Sequence, residues 1–168
     1  MKIARTIEYA APPAEVFAVL ADPAFQDAKC AATAAISHSA RVETKGDQTV
    51  ITTERVLPSD DLPDFARSMI GDTLKVLETQ TWSGAGGDGS STGTVEMSVH
   101  GAPITLKGKL SLKPSPAGTV ETLDADLKAG VPLIGGKIEK AAAPPIEEAI
   151  TIETQTAKEW LGDRKSVV

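Results

Sequence analysis

One stretch near the end of the chain, residues 131–161 (VPLIGGKIEKAAAPPIEEAITIETQTAKEWL), limits the possible folds more than any other. Ile138, Ala142, Ile146, Ala149, Ile150, Glu153, Ala157, Trp160 and Leu161 recur at steps of three and four, so they share one helical face. Glu139, Lys140, Glu147, Glu148, Lys158 and Glu159 fall mostly off that face. A helix with one apolar stripe must bury it against something. Gly135-Gly136 at its entry allows a sharp turn from strand to helix and a close backbone approach. Pro144-Pro145 interrupts the pattern. A proline in a helix interior removes a donor and clashes with the preceding turn, at roughly 3 kcal/mol, whereas a first turn tolerates it. The sequence therefore predicts two helices in series, 136–142 and 144–161, with a break or kink between them. The short first piece would gate a cavity mouth near Leu133 and Ile134.

The rest of the chain supplies the surface that receives this helix. Residues 1–8 alternate as a first strand, with Arg5 on the apolar side beside Ile3 and Ile7. Arg5 either snorkels at a strand end or sits charged in a cavity. Pro12-Pro13 opens a short helix over 13–20, and Asp22-Pro23 caps a second over 24–33. Phe25 and Cys30 are the second helix's inward groups, and Cys30 reads as an inert core thiol. Six strands then follow in hairpin succession, at 36–42, 49–57, 73–83, 94–100, 104–113 and 119–128, with a short helix over 64–70. Ile36, His38, Ala40 and Val42 share one face. So do Leu106, Leu110 and Leu112, and further on Leu123, Ala125 and Leu127. Asp60, Asp61 and Asp64 lack calcium-loop spacing and read as a solvated, helix-capping loop. Residues 84–89 match G-x-G-x-x-G by letters, but a strand follows instead of the helix N-terminus that phosphate binding needs, so the segment reads as a hairpin.

Short connections favour an antiparallel meander, and one apolar face needs cover on that side only. The expected fold class is α+β: a curved antiparallel sheet of about seven strands, two short helices after strand one, and a long, Pro-broken C-terminal helix over the sheet. One domain spans 1–162, with a tail at 163–168. A single cysteine excludes an internal disulfide and suits a reducing compartment. No charged start followed by an apolar run is present, and no run of about 18 apolar residues, so a cytoplasmic protein without an integral membrane segment is expected. A net charge of -6 argues against nucleic acid as a partner.

The order of elements, together with Ile7-Glu8-Tyr9-Ala10-Ala11-Pro12-Pro13-Ala14-Glu15-Val16-Phe17 after the first strand, resembles the START-like (SRPBCC) superfamily, the helix-grip fold of polyketide cyclases, lipid-transfer domains and plant pathogenesis-related allergens. Pro132-Leu133-Ile134-Gly135-Gly136-Lys137-Ile138-Glu139 resembles the last-helix entry of a START-like branch of high-GC Gram-positive bacteria. The resemblance spans essentially the whole chain and implies a hydrophobic-ligand cavity between sheet and final helix. It implies no particular reaction, because fold does not fix function.

Ile36, His38, Met97, Val99, Leu106, Leu110, Leu123, Leu127, Leu133, Ile134 and Ile138 are the expected cavity residues. The sequence carries no metal signature, no cofactor motif and no nucleophile elbow. His38 and Arg5 are the acid–base candidates, since an imidazole in a dry pocket suits a general base. His100 points outward by strand parity. The leading expectation is a binding protein for a small hydrophobic or amphipathic ligand, lipid or polyketide-like. The alternatives are a cyclase- or dehydratase-like enzyme using His38 and Arg5, or an interaction module that engages a protein partner or a second copy of the chain.

Overall fold

The structure, a computed structural model, describes residues 1–84 and 86–166, with side chains through Gly162. The element order is β1 (Lys2–Tyr9), α1 (Pro13–Leu20), α2 (Pro23–Ala32), β2 (Ser37–Lys45), β3 (Gln48–Pro58), α3 (Asp64–Ile70), β4 (Thr73–Trp82), β5 (Ser91–Val99), β6 (Ile104–Ser115), β7 (Gly118–Ala129) and α4 (Gly135–Ser166). The seven strands form one antiparallel sheet in the order β1-β7-β6-β5-β4-β3-β2. Hairpins carry the chain from β2 to β7, and β1 closes on β7. Because α1 and α2 intervene, β1 and β2 are consecutive in sequence yet form opposite edges of the sheet. This is the α+β architecture expected, with a curved sheet wrapped on a long C-terminal helix.

Strands β6 and β7 approach closely at Gly108 in the middle of β6. A Cβ there would sit 2.3 Å from the Asp124 carbonyl oxygen and 2.5 Å from Ala125 Cα. Only glycine lets β7 approach this closely. Gly135 does the same at the start of α4, where a Cβ would meet the Ala129 carbonyl oxygen at 2.6 Å.

The core has two parts joined by Leu123. One packs α1, α2 and the C-terminal half of α4 around Trp82, with edge-to-face contacts of Phe17 on Trp82 (6.1 Å) and Phe25 on Trp160 (5.6 Å). The other packs Ile138, Ala143, Ile146 and Ile150 of α4 over β5, β6 and β7. The space between these parts becomes the site described below.

Three expectations are corrected. Helix α4 is not interrupted at Pro144-Pro145; both prolines lie inside one element of 32 residues. Ile138 and Ala143 before the prolines and Ile146 and Ile150 after them bury on the same sheet face. Each large side chain contributes about 1.5–3 kcal/mol on burial, so together they offset a cost of roughly 3 kcal/mol for each of the two interior prolines. With one continuous helix, 136–142 is not a separate gate. The helix also runs past Leu161 to Ser166, into the expected tail, of which Val167 and Val168 lie outside the described residues. Third, α3 has no side-chain cap: the Pro63 carbonyl accepts from the Ala66 and Arg67 amides instead. The 84–89 segment joins antiparallel β4 and β5, with Ala85 outside the described residues. Among the described residues no helix is long and apolar enough to cross a membrane, which says nothing of a β-barrel.

Candidate ligand cavity and its buried polar cluster

A cavity of about 430 Å³ lies between the inner face of the sheet and α4. Strands β3 to β7 alternate one apolar residue inward with one outward, which brings Met97, Val99, Leu106, Leu110 and Leu123 to its floor. Ile138, Ala142, Ile146 and Ile150, each four residues from the last on α4, form its roof. The volume falls in the range of small-molecule sites.

The same alternation brings polar groups inward. Arg55 (β3), Glu78 and Gln80 (β4) and Glu121 (β7) all line the cavity, with Lys29 from α2 and Glu153 from α4. Lys29 is buried, and its Nζ stands 3.0 Å from Glu78 Oε1 and 3.1 Å from Glu153 Oε2. Burial alone would lower the Lys29 pKa, but Glu153 and Glu78 outweigh it and the ammonium is held above its ordinary range. Burial likewise opposes ionisation of Glu78, yet Lys29 and Arg55 lower its pKa and keep it a carboxylate. Gln80 Nε2 donates to Glu78 at 3.5 Å, and its Oε1 accepts from Trp82 Nε1 at 3.0 Å.

Glu121 behaves differently. It is 7% exposed and, among the described residues, receives a hydrogen bond from the Tyr9 hydroxyl at 3.4 Å. Burial first, and the neighbouring Glu153 charge second, push its pKa up to about 8. At neutral pH it is largely a neutral carboxylic acid. Tyr9 is pushed up as well, by burial and then by Glu121 and Glu153. The cavity therefore offers O–H and N–H donors beside an ion group in which Lys29 and Arg55 face Glu78 and Glu153.

Of the residues expected at the site from sequence, Met97, Val99, Leu106, Leu110, Leu123 and Ile138 come together around the cavity. The others do not line it. Ile36 precedes β2 at the outer end of an edge strand and is 62% exposed. Leu127 has the right parity but is fully enclosed, in the same core cluster as Ile138 and Ile3. Leu133 and Ile134 lie in the turn before α4, where positive φ at Leu133 turns its side chain into solvent; both are exposed. His38 faces α2 from edge strand β2, with Nε2 at 2.8 Å from Asp27 Oδ1. Arg5 is half-buried on the opposite edge strand, and its Nη2 donates to Thr151 Oγ1 at 2.6 Å. Neither group lines the cavity, and they stand on opposite edges of the sheet. The buried thiol of Cys30 is raised in pKa, first by burial.

The polar cluster was missed from sequence, though the signal was present. Glu121 shares parity with Leu123, Gln80 and Glu78 with Val76 and Trp82, and Arg55 with Leu57. Among the described residues no group of three His, Cys, Asp or Glu side chains converges as a metal site.

A family model described as a protein of unknown function, DUF2505, matches residues 5–161. The chain belongs to the DUF2505 family. Uncharacterized protein Rv0481c of Mycobacterium tuberculosis is 28% identical to this DUF2505 chain over 113 residues, covering 66% of the chain. The chain spans 64% of the length of that relative and of its Mycobacterium bovis counterpart Mb0491c. Among solved structures, the DUF2505 chain is similar to the Zhui aromatase/cyclase from Streptomyces sp. R1128, at TM-score 0.61 and 11% identity over 98% of this chain and 94% of that one. It is also similar to the di-domain aromatase/cyclase StfQ of the steffimycin biosynthetic pathway, at 0.64 and 9% over 98% and 52%. At these identities the likeness is one of fold.

Proposed function

We propose that this DUF2505 protein binds a small amphipathic molecule in the cytoplasm. The apolar body of the ligand lies between β5–β7 and α4, and its polar end meets the cluster of Lys29, Arg55, Glu78, Glu121 and Glu153. The observation that carries this reading is the 430 Å³ cavity, with its apolar floor and roof and polar residues at its wall. Buried charge is costly and is normally matched by partners; here it borders an open volume instead of being packed away. The likeness in fold to aromatase/cyclases supports a cavity of this kind and leaves the ligand open.

A cyclase- or dehydratase-like reaction through His38 and Arg5 has no support in the geometry, since neither reaches the cavity. The single buried cysteine suits the reducing compartment proposed. Native mass spectrometry of the protein purified from its own host tests the binding reading. The expected result is a bound species of a few hundred daltons that is lost on denaturation. The bare chain mass alone, from protein that also takes up no apolar dye, refutes it.

A further inference from the structure

Arg55 is the one cluster member whose needs the protein does not meet. It is 6% exposed and borders the cavity. Its Nε is buried with no hydrogen-bond partner. Its hydrogen bond among the described residues runs from Nη1 to Thr33 Oγ1, at a long 3.4 Å. Glu78 feels the Arg55 charge but forms its own ion pair with Lys29, and no carboxylate of the described residues pairs with Arg55. Lys29, by contrast, is met by two carboxylates. A guanidinium is always charged and only donates, in a planar fork that matches a carboxylate. Buried N–H donors of this kind call for an acceptor that the protein does not supply.

We infer that the ligand of this cavity carries a carboxylate, which the guanidinium of Arg55 receives while the hydrocarbon part lies against Met97, Leu106, Ile138 and Ile146. This rests on the binding reading above and narrows it to amphipathic acids. The rest of the cavity permits it. Glu78 and Glu153 are matched in charge by Lys29 and Arg55 together, and Glu121 is held largely protonated, so it adds little repulsion. Asp61 and Glu148, also at the cavity, are exposed to solvent, which screens them.

The test is calorimetric titration of the whole protein with dodecanoate, methyl dodecanoate and dodecylamine at pH 7. Wild type should bind dodecanoate at least tenfold more tightly than either other probe. Arg55→Gln should lose that preference, the acid binding no more tightly than the ester, and Arg55→Lys, which keeps the charge but not the fork, should fall between. The acid-versus-ester comparison on wild type needs no variant, so a poorly folding variant does not rescue the inference. An ester or amine bound as tightly as the acid, or an acid preference intact in Arg55→Gln, overturns the carboxylate and leaves the binding reading standing. If no probe and no apolar dye binds, both are overturned.

Discussion

Lys29 on α2 and Glu153 on α4 form an ion pair of 3.1 Å that ties the two helices together at the cavity wall. Because Lys29 is also the partner of Glu78, its removal leaves two partly buried carboxylates with only the Arg55 charge nearby. Breaking a buried pair from one side costs about 3–5 kcal/mol. Lys29→Met should therefore lower the unfolding free energy by that order in urea titrations. Adding Glu78→Gln and Glu153→Gln should restore most of it. A loss below about 1 kcal/mol in the single variant would mean that water reaches the group and screens it.

Glu121 makes stability depend on pH in the unusual direction. Its ordinary value is 4.5 and its folded value is about 8. Between these the folded chain keeps a proton that the unfolded chain has released. Stability from this group is complete below pH 4.5, falls as pH rises by up to about 1.4 kcal/mol per unit, and levels off above pH 8. Glu121→Gln lacks the titration. The variant should gain on wild type steadily from pH 5 to 8 in thermal melts; a constant difference across that window would contradict the assignment.

Pro144 and Pro145 sit exposed inside an uninterrupted helix. Each removes an amide donor that alanine would supply. Pro144→Ala should raise stability by about 1–3 kcal/mol, read as a higher melting temperature. A fall would show that the prolines set a bend on which the packing of Ile138 and Ile146 depends.

His38 and Asp27 form a surface-edge pair, 2.8 Å apart, away from the cavity. Such pairs contribute at most about 1 kcal/mol. His38→Ala should leave dye or fatty-acid affinity unchanged and stability nearly so. A tenfold loss of affinity would return His38 to the site.

The fold was readable because its signals are local. Strands β6 and β7 alternate cleanly, the stripe from Ile138 to Leu161 has one period, and Pro13 and Pro23 start helices where prolines are tolerated. The apolar half of the cavity follows from the same alternation. The polar half was harder to see, since Glu121 and Gln80 look like solvent-facing residues unless strand parity is carried through them. Whether Arg5 or Arg55 reaches the cavity depends on which strands form the edges, and the crossover that separates β1 from β2 has no local signature. The continuity of α4 was also hidden. Local proline chemistry predicts a break, and only packing on both sides of Pro144 reverses it.

Leu123 joins both parts of the core and faces the cavity, so filling the void from that position tests the account most directly. The measurement is a fluorescence titration of wild type and Leu123→Trp with Nile red, a neutral apolar dye, with melting temperatures recorded alongside. The account predicts one saturable site in wild type and at least tenfold weaker binding in a variant that still melts cooperatively. Equal affinity in the two proteins, or no saturable binding by wild type, would contradict a ligand cavity between the sheet and α4.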